Sequence, residues 1–186
     1  MLVTCGNIRK HCQPSYRGKM TYAQIAKDYK KNCQAIENGY IRHFSATDKA
    51  VVRAVESEYP EGKRYPHQYR IPKSALREAK DLLETVKFNK GKSFDAIHEL
   101  VKKAIEGVSG IGELIIYDIA HRIGASLRIK PQDVYLHCGT REGAKKLPGY
   151  KKGMKKMPLS LIPKELRHLG AEHLENCLCI YSKNLP

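Results

Sequence analysis

The sequence predicts a mostly α-helical protein folded as a single compact domain. Three observations carry that prediction. Apolar residues recur at three- and four-residue intervals in one segment after another, which gathers them on one face of a helix. Serine and threonine caps, glycines and prolines stand between those segments, where helices start and stop. A length of 186 residues with 41% hydrophobic content is enough to bury a core.

Taken in order, residues 21 to 44 read as a long helix, with Tyr22, Ile25, Ala26, Tyr29, Cys33 and Ile36 at helical spacing and a break at Gly39. Residues 48 to 58 give a second helix with Thr47 as its cap. The stretch from 60 to 72, PEGKRYPHQYRIP, is interrupted by prolines and filled with basic and ring-bearing residues, so it is a loop. It serves either as a strand-contacting loop, with Arg or Tyr on bases and phosphates, or as a solvated connector. Ser74 caps a helix over residues 75 to 86. Ser93 caps another, in which Phe94, Ile97, Leu100, Val101, Ala104 and Ile105 form one apolar face. Ile115, Ile116, Ile119, Ala120, Ile123 and Leu127 do the same for the helix that follows.

The two helices within residues 93 to 128 are joined by Val108-Ser109-Gly110-Ile111-Gly112, which is short enough to force them to pack together. Glycine reaches backbone angles closed to other residues, and a buried Ile111 would pin the turn to the core. The amides of Gly110, Gly112 and the next turn then face outward at the positive end of a helix dipole, where a phosphate fits. Glu113 complements that dipole, though an inward-pointing carboxylate would repel an anion. The pattern of Val108, Gly110, Ile111 and Gly112 between two helices resembles the helix-hairpin-helix motif. Ser109 takes the position often held by proline. The resemblance implies that residues 109 to 112 contact DNA phosphates, and that the carbonyls of Glu106, Val108 and Ile111 hold a monovalent cation. No other cofactor is implied. The plainer reading is a tight turn whose glycines serve packing.

After the second helix, Lys130-Pro131-Gln132 breaks the chain and Asp133 follows, 21 positions beyond Gly112. This wider arrangement resembles the helix-hairpin-helix DNA glycosylases of the GPD class, which are all-helical and place an essential aspartate at about that distance. The resemblance implies that Asp133 is a catalytic carboxylate, stabilising the oxocarbenium character that develops as an N-glycosidic bond breaks. As a residue after Pro131-Gln132, Asp133 is equally an ordinary helix cap or turn residue. Members of the class that attack the sugar with an amine carry a lysine two residues past the second hairpin glycine. Leu114 stands there, so hydrolysis by water is expected. The chain is short for the class, and its base pocket does not match residue by residue. A flipped-out base would need aromatic walls, for which Tyr65, Tyr69, Tyr117, Tyr135 and His137 are candidates alongside ordinary core or surface roles. Asp118 and His121 flank a site or form a polar pair on the helix.

Lys and Arg outnumber Asp and Glu by 34 to 19, a formal charge of +15 that points to a polyanionic partner. Nucleic acid fits better than a membrane surface, because no single helix is a basic amphipath. The densest run lies at residues 139 to 157, where Lys145, Lys146, Lys151, Lys152, Lys155 and Lys156 can neutralise phosphates, or simply solvate a loop. No apolar run is long enough to cross a membrane, and MLVTCGNIRKHC lacks the apolar core of a secretory signal. The six cysteines, at 5, 12, 33, 138, 177 and 179, form no secreted framework. They suggest reduced thiols in an intracellular protein of the cytoplasm, nucleoid or nucleus. The spacing of Cys5 and Cys12 is similar to the start of the iron-sulfur loop in some endonuclease III-type glycosylases, but the rest of that loop is missing. His168, His173, Cys177 and Cys179 are either metal ligands or structural residues. At the end, Pro163 opens a helix, and Leu174, Cys177, Leu178 and Ile180 should dock on the core.

The expected function is therefore that of a DNA glycosylase-like protein acting on a damaged or modified base in duplex DNA, without a second, amine-dependent activity. The alternatives are a helix-hairpin-helix DNA-binding protein without chemistry and an RNA-binding or assembly subunit.

Overall fold

The computed structural model describes residues 12–45, 50–56, 64, 68 and 70–186. The fold is mostly α-helical, with one two-stranded sheet among the described residues. Contacts divide the chain into two compact units: a terminal unit, Met1–Asn38 with Gln132–Pro186, and a central unit, Gly39–Pro131.

In the terminal unit α1 (Tyr22–Tyr29) opens with a reciprocal cap. The Thr21 hydroxyl accepts from the Gln24 amide at 3.2 Å, and Gln24 Oε1 accepts from the Thr21 amide at 2.8 Å. The helix continues through a π-helical segment, Lys30–Gln34, into α2 (Ala35–Ser45). Gly39 therefore does not break the helix; the irregularity lies earlier, at a widened turn carrying Cys33. Cys33 is bonded to Cys12, and both are buried in the core. The expectation of reduced thiols is overturned for this pair, because the segment before α1 folds back and brings the two Cα atoms to 5.2 Å. A bridge spanning 21 residues contributes about 3 kcal/mol by restricting the unfolded chain. It also removes Cys12 as a cluster ligand; Cys5 lies outside the described residues.

Two strands, β1 (Asp133–Tyr135) and β2 (Lys156–Pro158), pair antiparallel with Val134 opposite Met157 and Tyr135 opposite Lys156. Val134, Leu136 and Met157 point into the core, which fixes the register. Asp133 is thus a strand residue, neither a helix cap nor a turn. Between the strands lies α7 (Cys138–Ala144), so the basic run begins as a helix and not as a loop. Gly143 has no room for a side chain, because the Leu178 backbone lies against it. After α8 (Lys164–Arg167), capped by Pro163, α9 (Gly170–Ile180) runs through the core of this unit. Leu174, Cys177, Leu178 and Ile180 dock as expected. Burial pushes the Cys177 thiol far above its ordinary pKa, which suits a packing role. His168 is exposed while His173 and Cys179 are buried. Among the described residues no three His, Cys, Asp or Glu side chains are grouped to hold a metal ion.

The central unit holds α3 (Ala50–Glu56), α4 (Lys73–Glu84), α5 (Phe94–Ile105) and α6 (Glu113–Leu127). Thr47, the expected cap of α3, is outside the described residues, as is most of the loop at 60–72, including Tyr65 and Tyr69. The cap of α4 is Pro72 and not Ser74, which lies within its first turn. α5 begins at Ser93, whose hydroxyl accepts from the Ala96 amide at 3.2 Å. Its Asp95 at the start and Lys102 and Lys103 at the end complement the helix dipole. α5 and α6 pack against each other, with Phe94, Ile97, Val101, Ile105, Ile116 and Ile119 among their buried residues. No described helix is long and apolar enough to cross a membrane.

Candidate nucleic-acid interface

The turn between α5 and α6 is built by two glycines with different duties. Gly110 has φ +90°, a left-handed conformation that strains any residue with a Cβ. It lets the Ile111 amide donate to the Val108 carbonyl at 3.1 Å, closing the turn. Gly112 is extended, with φ −122° and ψ 178°, and is the N-cap of α6. A Cβ there meets nothing within 4 Å. Folding therefore requires glycine at 110 and not at 112. The apolar anchor is Val108, which is buried; Ile111, expected to be buried, is only half so because the closed turn lifts it toward solvent.

Gly112 brings no side chain to cap α6, whereas Thr21 and Ser93 cap α1 and α5. Ser109, Gly110 and Gly112 are exposed, and among the described residues no acceptor takes the amides of Gly110, Gly112 or Leu114. Three backbone donors at and just before the start of a 15-residue helix thus have no acceptor among the described residues. Glu113 is exposed in the first turn of the same helix. Val108 O, one of the three carbonyls expected to hold a cation, accepts a hydrogen bond from the Ile111 amide within the turn. One neighbour was invisible in the sequence. A Cβ on Gly110 would touch Pro72 Cδ at 3.7 Å, which places the start of α4, with exposed Lys73 and Ser74, beside the turn. Pro72 gives α4 no side-chain cap either.

Asp118 and His121 belong to the interior of the central unit. Arg122, 6% exposed, donates to the Ala54 carbonyl at 2.9 Å and to Gln68 Oε1 at 3.1 Å, and lies 3.7 Å from Asp118 Oδ2. Gln68 Nε2 donates to the same carboxylate at 2.5 Å, and the guanidinium lies over the Phe44 ring, 5.3 Å from its centroid. His121 stacks on Tyr117 with the ring planes 9° apart, and Phe94 meets both rings edge-on. Tyr117, offered as a base-pocket wall, is 2% exposed within this aromatic cluster.

The other proposed site residues are in the terminal unit. Asp133, Tyr135 and His137 alternate along the chain with the core-facing Val134 and Leu136, and so share the opposite face. Asp133 is about one-third exposed and pairs with Lys156, whose Nζ is 3.8 Å from Oδ2 and 5.6 Å from the Tyr135 ring centroid. Tyr135 and His137 are buried, and His137 Nε2 lies 3.4 Å from Glu175 Oε1. Glu175 Oε1 also accepts from the Thr140 hydroxyl at 2.6 Å, so the imidazole lies beside a buried carboxylate that is already hydrogen-bonded.

The basic run does not present all of its charges equally. Lys145 pairs with Glu142 at 2.6 Å, and Lys146 donates to the Ser182 carbonyl at 2.5 Å. Desolvation and the nearby Lys19 ammonium lower the Lys146 pKa. Lys151 and Lys152 are exposed and make no ion pair among the described residues. Compared with protein-family models, curated proteins and solved structures, the chain matches none.

Proposed function

We propose that this chain binds duplex DNA by gripping a phosphate at the turn of residues 108–112, and that it releases a damaged or modified base by hydrolysis at Asp133. The strongest support is the turn itself: amides of Gly110, Gly112 and Leu114 without an acceptor among the described residues, at the start of α6, which has no side-chain cap. Backbone donors at a helix N-terminus bind phosphate without a matching side chain, and a charge of +15 supplies the long-range attraction. Lys73, Lys151 and Lys152 are the exposed cations best able to add phosphate contacts.

For the chemistry, Asp133 offers a partly exposed carboxylate beside the Lys156 ammonium, which also lies over the Tyr135 ring. As the bond from sugar to base breaks, positive charge grows at C1′ and the carboxylate stabilises it. Water adds its hydroxyl to C1′, and a proton goes to the departing base. Leu114 has no amine to take the place of water. One observation favours the rival reading of a DNA-binding module without chemistry: the Asp133–Lys156 pair is also an ordinary surface ion pair.

Gly112→Asp tests the grip without damaging the fold. The position is open and extended, and aspartate is a better helix cap than glycine by a few tenths of a kcal/mol. Its carboxylate would occupy the amides of the first turn and repel a phosphate. Duplex affinity, read by fluorescence anisotropy at about 0.1 M salt, is expected to fall roughly tenfold, the worth of a charge-assisted hydrogen bond. Thermal stability should hold or rise. Undiminished affinity in a folded variant would remove the turn from the interface.

A further inference from the structure

A cavity of about 320 Å³ opens in the terminal unit, lined by Ser15, Tyr16, Met20, Gln24, Lys27, Asp28 and Lys31. Its volume falls at the small end of the range for ligand pockets, about 300–1,000 Å³. Tyr16, at its edge, is 61% exposed, the most exposed large hydrophobic side chain among the described residues. An exposed tyrosine is ordinary on a mobile loop. This one is on a loop held from both ends.

The Cys12–Cys33 bond fixes the loop before Tyr16. The Ser15 amide donates to Asp28 Oδ2 at 3.0 Å, and Asn32 Nδ2 donates to the Ser15 hydroxyl at 2.8 Å. On the far side, Asn184 Nδ2 donates to the Tyr16 carbonyl at 3.0 Å and to the Gly18 carbonyl at 2.8 Å, and the Met20 amide donates to Asn184 O at 2.8 Å. Gly18, with φ +153°, lets the Tyr16 ring lie along the backbone; a Cβ there would meet the ring at 3.1 Å. The aromatic face is thus presented with its backbone already ordered, which lowers the entropy lost when something stacks on it.

The chemistry of the walls names the ligand class. Asp28 is occupied: its carboxylate accepts from Ser15, from Asn32 at 2.8 Å and from the Tyr181 hydroxyl at 2.8 Å. Partial burial works to raise its pKa, but these donors outweigh it and hold the carboxyl below its ordinary value. Gln24 uses its oxygen in the cap of α1, leaving its amide nitrogen as a donor. Lys27 and Lys31 are exposed cations. What remains for a ligand is an aromatic face, the apolar Met20, and donors on an electropositive rim. A flat ring attached to a phosphate satisfies all of them.

We propose that this pocket binds one nucleotide unit, its base stacked on Tyr16 and its phosphate held by Lys27 and Lys31. This assignment rests on the reading that the chain binds nucleic acid, so the natural source is an unpaired nucleotide of a DNA strand, bound apart from the hairpin turn. A free mononucleotide has the same chemistry. The test therefore uses two probes, a fluorescent dA10 single strand read by anisotropy and dAMP as its competitor. Tyr16→Ala is expected to weaken dA10 binding about tenfold, the usual loss for one base-stacking aromatic, while Tyr16→Phe and Tyr16→Trp retain it within twofold. The Tyr16 ring is exposed, so circular dichroism should show all three variants folded. Competition by dAMP that disappears in Tyr16→Ala supports the pocket with either source; a Tyr16-dependent dA10 signal that dAMP does not displace supports it for the strand alone. Unchanged dA10 binding in Tyr16→Ala, or an equal loss in Tyr16→Phe, overturns the proposal. Gly112→Asp with a duplex runs alongside. Loss of duplex affinity there with no effect of Tyr16→Ala sinks the pocket and leaves the hairpin reading standing; Tyr16-dependent dA10 binding with an unaffected duplex does the reverse.

Discussion

Asp133→Asn is expected to reduce base release from a susceptible duplex by about a thousandfold or more, while duplex affinity stays within about twofold. The substitution preserves shape and removes the charge. Ground-state binding depends on phosphate contacts, which a side chain on β1 does not make in this account. The transition state carries positive charge at the sugar, and a neutral amide does not stabilise it. The change removes one negative charge beside Lys156 and makes the terminal unit more basic, so weaker binding to a polyanion is not expected. Alkali-revealed strand breaks measure release, and anisotropy measures affinity. Equal release by both proteins would take the chemistry away from Asp133, and a parallel collapse in affinity would make it a binding residue.

Arg122→Ala should have the largest effect on folding, a loss of about 3–5 kcal/mol, because it removes the guanidinium 3.7 Å from the largely buried Asp118 carboxylate. The Ala54 carbonyl and Gln68 Oε1 lose their donor together, and the Phe44 ring loses the guanidinium above it. Removing both charges at once, as Asp118→Asn with Arg122→Met, should cost clearly less than the single change, since no ion is stranded. Urea unfolding followed by circular dichroism reads both. A loss below about 1 kcal/mol for Arg122→Ala, or a double variant as unstable as the single, would show that the network does not hold the central unit together.

The helices were legible where a cap and a long apolar stripe agreed. Ser93 followed by Phe94, Ile97, Val101 and Ile105 is such a case, and the α5–α6 turn could be placed because two glycines bracket one isoleucine between two such stripes. The misplaced boundaries have local causes. Gly39 sits in a helix continuous on both sides, where tertiary packing outweighs a propensity cost of about 1 kcal/mol. Pro72 took the cap from Ser74 because its fixed φ suits a helix entrance. The strands escaped notice because three residues are too few to display alternation; only the structure pairs Val134 with Met157. Contacts between distant segments were out of reach altogether. Nothing near Cys12 points to Cys33, nothing near Gly110 points to Pro72, and Asp133 gives no sign that Lys156 will stand beside it. The split of the proposed site residues between two units, Gly110 and Tyr117 in one and Asp133 and Tyr135 in the other, likewise has no signature in composition or periodicity.

The central claim is that backbone amides at the start of α6 hold a DNA phosphate, and amide NMR observes those atoms directly. An undamaged duplex titrated into ¹⁵N-labelled protein at low salt is expected to shift the signals of Gly110, Gly112 and Leu114 most strongly, with Lys73 and Ser74 following, and to restore them as salt is raised. Shifts confined to the lysines of residues 145–156, with the turn unmoved at saturating duplex, would contradict it.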